Sequence, residues 1–257
     1  KIMKVLVLAA GYAVRLGELT ANTPKPLLPV GGRKILDRIA DKVMDAGSVD
    51  ALIIVTNGRF AGEFDKWAAA SRYKDKIRIV NDRTMSNETR LGAIKDMQLA
   101  IDEAKVDDDL LVVAGDNLFE FDLGTFLKFA ASRGNAVSIA VHDIKDIKLA
   151  SKFGVLRLEG DGRVADFEEK PANPKSSLIS TGIYYFPKNK LSLIEKYVKI
   201  QDKKLDAPGN YIRWASKNDT VYGFAFSEDW YDIGSVESYR QADSDYKKRE
   251  GERNEKP

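Results

Sequence analysis

Residues 5–9 (VLVLA) form an almost unbroken apolar run behind Met3-Lys4, the pattern of a strand buried on both faces of a parallel sheet. Residues 51–56 (ALIIVT) and 110–114 (LLVVA) repeat it, and 77–80 and 136–141 carry shorter versions. Between them the period changes. Ile35, Ile39, Val43 and Met44 fall on one face of a helix that Gly47 stops. Residues 60–71, 89–104 and 126–132 also read as helices, the last closed by Gly134. Strands alternating with helices through the first ~140 residues predict a mostly parallel α/β sheet.

The pattern then turns β-rich. Residues 155–158 and 164–168 flank Glu159-Gly160-Asp161-Gly162-Arg163, a hairpin with an Asp-Gly turn. Residues 179–186 and 221–226 are further strands. Pro208-Gly209 opens a helix, and 235–247 forms a closing one. No repeat and no composition break marks a linker. We therefore expect one domain over 1–247, with halves at about 1–142 and 143–247. Residues 248–257 are charged and lack apolar anchors, so they are expected to fray.

Composition narrows the chemistry. The 257 residues are 44% hydrophobic and 31% charged, as in an ordinary globular chain. The net charge of +2 gives no general electrostatic case for nucleic acid or a membrane surface. No cysteine is present, which excludes disulfides, thiolate metal sites and thiol nucleophiles. His142 is the single histidine and reads as a strand-end residue. There is no G-x-S-x-G elbow for it to serve. No apolar run approaches the roughly 20 residues needed to span a bilayer. The first ten residues lack the features of a signal peptide. A cytoplasmic location is expected.

The most informative stretch follows the first strand. It runs Gly11-Tyr12-Ala13-Val14-Arg15-Leu16-Gly17, then Pro24-Lys25-Pro26-Leu27-Leu28-Pro29-Val30-Gly31-Gly32. A connection of roughly 20 residues is longer than compact domains use without a purpose. Ligands of α/β sheets bind at the carboxyl ends of strands, where this loop begins. Gly11 and the small Ala13 would let backbone amides approach phosphate oxygens. Arg15 and Lys25 supply positive charge. On chemistry alone, a surface loop with two solvated cations fits equally well. The loop is neither a Walker A motif nor a G-x-G-x-x-G dinucleotide turn.

This stretch resembles the signature loop of the sugar-1-phosphate nucleotidyltransferases, G-x-G-x-R-L…P-K-P-[LM]-[LV]-P-[VI]. The thymidylyltransferase and uridylyltransferase branch for glucose 1-phosphate is the most similar. Ala13 stands where that pattern has its second Gly, and Val14 replaces the usual Thr. Other segments of the family follow in order, so the resemblance covers nearly the whole chain. It implies a Rossmann-like, mostly parallel mixed sheet flanked by helices, with a smaller β-rich sugar-binding lobe. The chain would then end after the catalytic domain, without an acyltransferase β-helix.

The resemblance also implies residue roles. Ala10, Gly11, Tyr12 and Ala13 would bind nucleotide, with Leu91 and Gly92 close to the base. Asp116, in Gly115-Asp116-Asn117, and Asp232, in Trp230-Tyr231-Asp232-Ile233-Gly234, would be magnesium ligands. Lys170, in Phe167-Glu168-Glu169-Lys170-Pro171, would bind the sugar's phosphate, and Glu169 a sugar hydroxyl. Gly154, Thr181 and Gly182 would lie against the hexose. The stretch Asp206-Ala207-Pro208-Gly209 occurs in one branch of the family, and the resemblance gives it no role.

The implied reaction transfers a nucleotidyl group from a nucleoside triphosphate, dTTP or UTP, to a sugar 1-phosphate, with glucose 1-phosphate as the default. Pyrophosphate is released and Mg2+ is the cofactor. Arg15 and Lys25 would be the catalytic cations. Two alternatives stay open: a cytidylyltransferase acting on phosphocholine or another alcohol phosphate, and an inactive nucleotide-binding regulatory module.

Overall fold

The structure is a computed structural model that describes residues 2–47, 49–200 and 207–254. In chain order its strands are β1 (Met3–Leu8), β2 (Pro29–Val30), β3 (Arg33–Lys34), β4 (Val49–Thr56), β5 (Ile77–Asn81), β6 (Asp109–Ala114) and β7 (Asn117–Phe119). They continue with β8 (Val137–Asp143), β9 (Gly154–Leu158), β10 (Val164–Glu169), β11 (Leu178–Phe186), β12 (Val221–Phe226) and β13 (Trp230–Asp232). The helices are α1 (Ile35–Asp45), α2 (Ala61–Ala70), α3 (Ala93–Glu103), α4 (Leu123–Ser132), α5 (Ile147–Ala150), α6 (Leu191–Ile200), α7 (Pro208–Asn218) and α8 (Val236–Asn254).

Nine strands make one mixed sheet, in which β1 lies between β4 and β6 and pairs with both in parallel. The apolar runs are unbroken because both faces of these strands are covered. Val5 and Val7 pack into one layer with Leu36, Phe126 and Tyr246. Leu6, between them, packs into the other with Ile94, Met97, Ile194 and Ile212. All three strand residues are fully buried. Each such side chain contributes about 1.5–3 kcal/mol of transfer free energy.

The sheet forks at β11. Tyr184 pairs with Val112 of β6 on one edge and Ile139 of β8 on the other. Ile179 pairs with Val155 of β9 and His142 of β8. Thus β9 and β6 follow one another along the same edge of β11, and a gap opens where one ends and the other begins. The β-rich lobe expected from the sequence is this continuation of the central sheet through β9 and β10.

Three local expectations need correction. Residues 89–92 are not helical: Gly92, at φ 91°, has a backbone that no right-handed helix can include, so α3 starts at Ala93. Helix α4 begins earlier than expected, because Asp122 caps it by accepting from the amides of Gly124 (2.9 Å) and Thr125 (3.2 Å). Residues 248–254 of the charged tail are helical, since α8 runs to Asn254. Its anchors are ionic and aromatic instead of apolar. Arg249 lies over Tyr246 and Tyr231 and pairs with Asp229, and Glu250 meets Arg38 at 2.5 Å. Helix α6 was not anticipated.

Candidate active site

The long first loop is tied at its root to the sheet. Strands β1 and β6 end level, with Leu8 opposite Ala114, and the Gly115 amide donates to the Leu8 carbonyl at 2.9 Å. The Asn57 side chain donates to the Ala10 carbonyl at 3.0 Å. Tyr12 turns inward, its hydroxyl 2.9 Å from that of Thr84, which donates to Asp82 at 2.8 Å. The buried Tyr12 ring is therefore an anchor for the loop, and its neighbour Gly11 stays exposed.

Ala13 adopts the left-handed conformation, φ 48° and ψ 35°, at the start of a 3-10 segment, Val14–Thr20. The glycine of the family pattern would hold this shape without strain, whereas a side chain pays about 1–2 kcal/mol for it. The Thr20 hydroxyl supports the turn by donating to the Ala13 carbonyl at 3.1 Å. Leu16 is buried and Val14 is 65% exposed, so the loss of the usual Thr hydroxyl at 14 removes no internal contact. Arg15, between them in sequence, is exposed and borders the cleft. Lys25 begins a second 3-10 turn, Lys25–Leu27, between Pro24 and Pro26, and its Nζ lies 2.9 Å from Asp116 Oδ2.

Asp116 and Asp232 are 116 positions apart in sequence, by subtraction of their numbers, and a two-stranded ribbon joins them. Strand β13 pairs antiparallel with β7, so Asp232 stands opposite Asn117, and the Ile233 amide donates to the Asp116 carbonyl at 3.1 Å. Burial, and then the charge of Asp116, push the Asp232 carboxyl up to about 6, partly opposed by Lys25, Arg15 and Lys170. Two carboxylates held together at such a cost, with cations around them, fit a divalent ion shared with ligand phosphates. Among the described residues no cluster of three or more His, Cys, Asp or Glu could form an all-protein metal cage.

The other wall of the site is built by the fork. Between Ser180 and Tyr184, three residues of β11 stand opposite the single Ala140 of β8. This bulge carries Thr181 and Gly182. Gly182 has φ 77°, and a Cβ there would sit 2.9 Å from the Ala114 side chain. The Thr181 hydroxyl is buried and donates to the Ala140 carbonyl at 2.9 Å, while the Asn117 amide donates to the Thr181 carbonyl. The bulge is thereby fastened to β8 and to the aspartate ribbon at once. Glu169 ends β10, and burial raises its carboxyl above the ordinary range while Lys170 opposes the shift. Lys170 is exposed, with φ 46° and Nζ 3.9 Å from Glu169 Oε1.

These elements line one cleft of about 960 Å³, at the upper end of what small-molecule sites use. Every residue proposed from the sequence borders it except Leu91, which is 36% exposed beside Gly92. Sequence reasoning missed the aromatic end. There His142 and Phe153 pack against Trp230, with ring centroids 5.9 Å apart for the tilted His142–Trp230 pair and 5.4 Å for the edge-on Phe153–Trp230 pair. Burial pushes the His142 pKa below its ordinary value, favouring the neutral imidazole. Trp230 was visible beside Asp232. Nothing local marked His142 as a cleft residue, because only the fork brings the end of β8 there.

With the fold and cleft in place, the relatives are informative. The chain belongs to the nucleotidyl transferase family, which matches it over residues 4–249. It is 34% identical over 236 residues to the bifunctional protein GlmU of Methanocaldococcus jannaschii, covering 90% of this chain and 51% of that one. It thus spans about half the length of that relative. Its fold matches a chain described as a glucose-1-phosphate thymidylyltransferase from Bacillus anthracis in complex with sucrose, at TM-score 0.81 and 21% identity, covering 96% of each. It also matches UDP-glucose pyrophosphorylase complexed with UDP-glucose, at TM-score 0.81 and 23% identity, covering 97% of this chain and 100% of that one. Among the described residues no helix is long and apolar enough to cross a membrane.

Proposed function

We propose that this protein joins a nucleoside triphosphate to a sugar 1-phosphate and releases pyrophosphate. The observation that carries the reading is the meeting of Arg15, Lys25, Asp116, Asp232 and Lys170 in one cleft. An inactive nucleotide-binding module has no use for this full set. Ala10–Ala13 and Gly92 would receive the nucleotide, and Gly154, Glu169, Thr181 and Gly182 the sugar. The nucleotide half is then about residues 1–142 and the acceptor half about 143–247.

An oxygen of the sugar phosphate attacks the α-phosphorus. The bond to the β-phosphate's bridging oxygen breaks, and pyrophosphate departs with that electron pair. The attacking oxygen is already anionic, so no general base is required. Catalysis rests on positioning and on neutralising charge. Arg15 holds the leaving pyrophosphate, Lys25 faces the α-phosphate, and Lys170 aligns the acceptor's phosphate. Asp116 and Asp232 would hold Mg2+, which supplies positive charge to the nucleotide phosphates.

For the substrates we take dTTP or UTP with glucose 1-phosphate, supported by the resemblance of the motifs and by the UDP-glucose in a solved neighbour. The test is pyrophosphate release with five nucleoside triphosphates against a panel of sugar 1-phosphates, phosphocholine and alcohol phosphates. Turnover with phosphocholine and none with any sugar 1-phosphate would overturn the proposal. Lys170→Ala is expected to raise KM for the sugar 1-phosphate more than KM for the triphosphate. An equal rise in both would move Lys170 away from the acceptor.

A further inference from the structure

The segment Ala207-Pro208-Gly209, with Asp206 before it outside the described residues, carries no role in the resemblance. It opens α7, with Pro208 at a position where the missing N–H costs nothing. Gly209 is less easily explained. It lies in the first turn of a helix, has no left-handed backbone to require glycine, and glycine weakens helices.

Space explains it. A Cβ on Gly209 would fall 1.7 Å from Glu169 Oε2, 2.8 Å from Glu169 Cδ and 3.0 Å from Phe167 Cε1. The Glu169 carboxylate occupies the volume that a side chain at 209 would fill. Across from it, a Cβ on Gly154 would lie 3.1 Å from the same Oε2 and 2.4 Å from Phe167 Cζ. Glu169 Oε2 therefore sits in a slot walled by two glycines, with the buried Phe167 ring as its floor. Both glycines and Glu169 border the cleft. Among the described residues, this carboxylate's ion pair is the long 3.9 Å contact with Lys170. Its position is thus set by shape, and its acceptor capacity is left for a ligand hydroxyl.

We infer that Gly209 is a positioning residue for the acceptor site: its missing side chain lets helix α7 seat the Glu169 carboxylate against the sugar. This rests on the reading of Glu169 as a sugar-hydroxyl ligand. The motif that opens α7 is then part of the acceptor pocket's wall, although it touches no reacting atom.

The experiment is a double-mutant cycle on the full chain, with KM for each substrate and melting temperature as readouts. Gly209→Ala is expected to raise KM for sugar 1-phosphate about tenfold or more, as loss of a hydrogen bond to a charged group would. KM for the nucleotide should move less than about twofold, the range of independent sites. In Glu169→Ala protein the same Gly209→Ala should add less than about twofold, since the carboxylate it would displace is gone. Losses that multiply, or an equal rise in both KM values, would overturn the inference. If Gly209→Ala folds too poorly to assay, adding Glu169→Asp, whose carboxylate is one methylene shorter, should restore folding. No restoration also overturns it. Should the wild-type protein turn over no sugar 1-phosphate, the functional reading fails and the acceptor role of Gly209 with it. The melting temperatures still separate the two questions, because Gly209→Ala lowers the value more in the parent than in Glu169→Ala protein if the slot is as described.

Discussion

Arg15→Ala and Lys25→Ala are each expected to lower kcat by roughly 10²–10³, or about 3–4 kcal/mol of transition-state stabilisation, the usual cost of losing one preorganised donor to developing charge. The structure makes the two losses distinguishable. Arg15 is exposed, so its removal should change stability by no more than about 0.5 kcal/mol. Lys25 is part-buried and neutralises Asp116 at 2.9 Å. Its removal takes away a charge that offsets the repulsion between Asp116 and Asp232, and the melting temperature of the ligand-free protein should fall as well. Arg15→Lys should recover little, because an ammonium cannot make the two-pronged contact of a guanidinium. Steady-state kinetics of the three variants, with thermal melts, give the answer. Near-normal kcat/KM in both alanine variants would mean that these cations are surface charges and that neither holds the triphosphate.

How much of this was legible in the sequence depends on the range of the interaction. The parallel core announced itself through residues 5–9, 51–56 and 110–114, because burial on both faces leaves an unbroken apolar run. The loop bearing Arg15 and Lys25 was legible by its length and content. What could not be read were features set by distant pairing. The fork of β11 depends on two strands sharing one edge, and the Thr181–Gly182 bulge on Ala140, some 40 residues upstream. Helix α8 looked frayed past residue 247, because the partners of Arg249 and Glu250, namely Tyr231, Asp229 and Arg38, lie 18, 20 and 212 positions from them in the chain. Gly209 could be noticed but not explained, since the atom that excludes a side chain there belongs to residue 169.

Asp232→Asn is expected to separate function from stability. In the ligand-free protein Asp232 is a half-buried carboxylate beside Asp116, and its pKa, pushed up to about 6, registers the cost of ionising it there. The amide keeps the shape of the side chain and its place opposite Asn117 in the ribbon while removing that charge. Each unit of pKa shift corresponds to about 1.4 kcal/mol. The variant should therefore be more stable than the parent at neutral pH, by about 1–2 kcal/mol once screening in the open cleft is allowed for. Activity should move the other way. If Asp116 and Asp232 share a divalent ion with the nucleotide, losing one charged ligand should remove most turnover, with KM for the triphosphate rising as well. Magnesium titration should show a weaker requirement-curve midpoint in Asp232→Asn, and the parent enzyme, stripped with EDTA, should be silent until magnesium returns. A stripped parent that still releases pyrophosphate at full rate would sink the metal assignment. An Asp232→Asn protein less stable than the parent would show instead that the carboxylate is stabilising as it stands, with Lys25 and Arg15 outweighing its repulsion by Asp116.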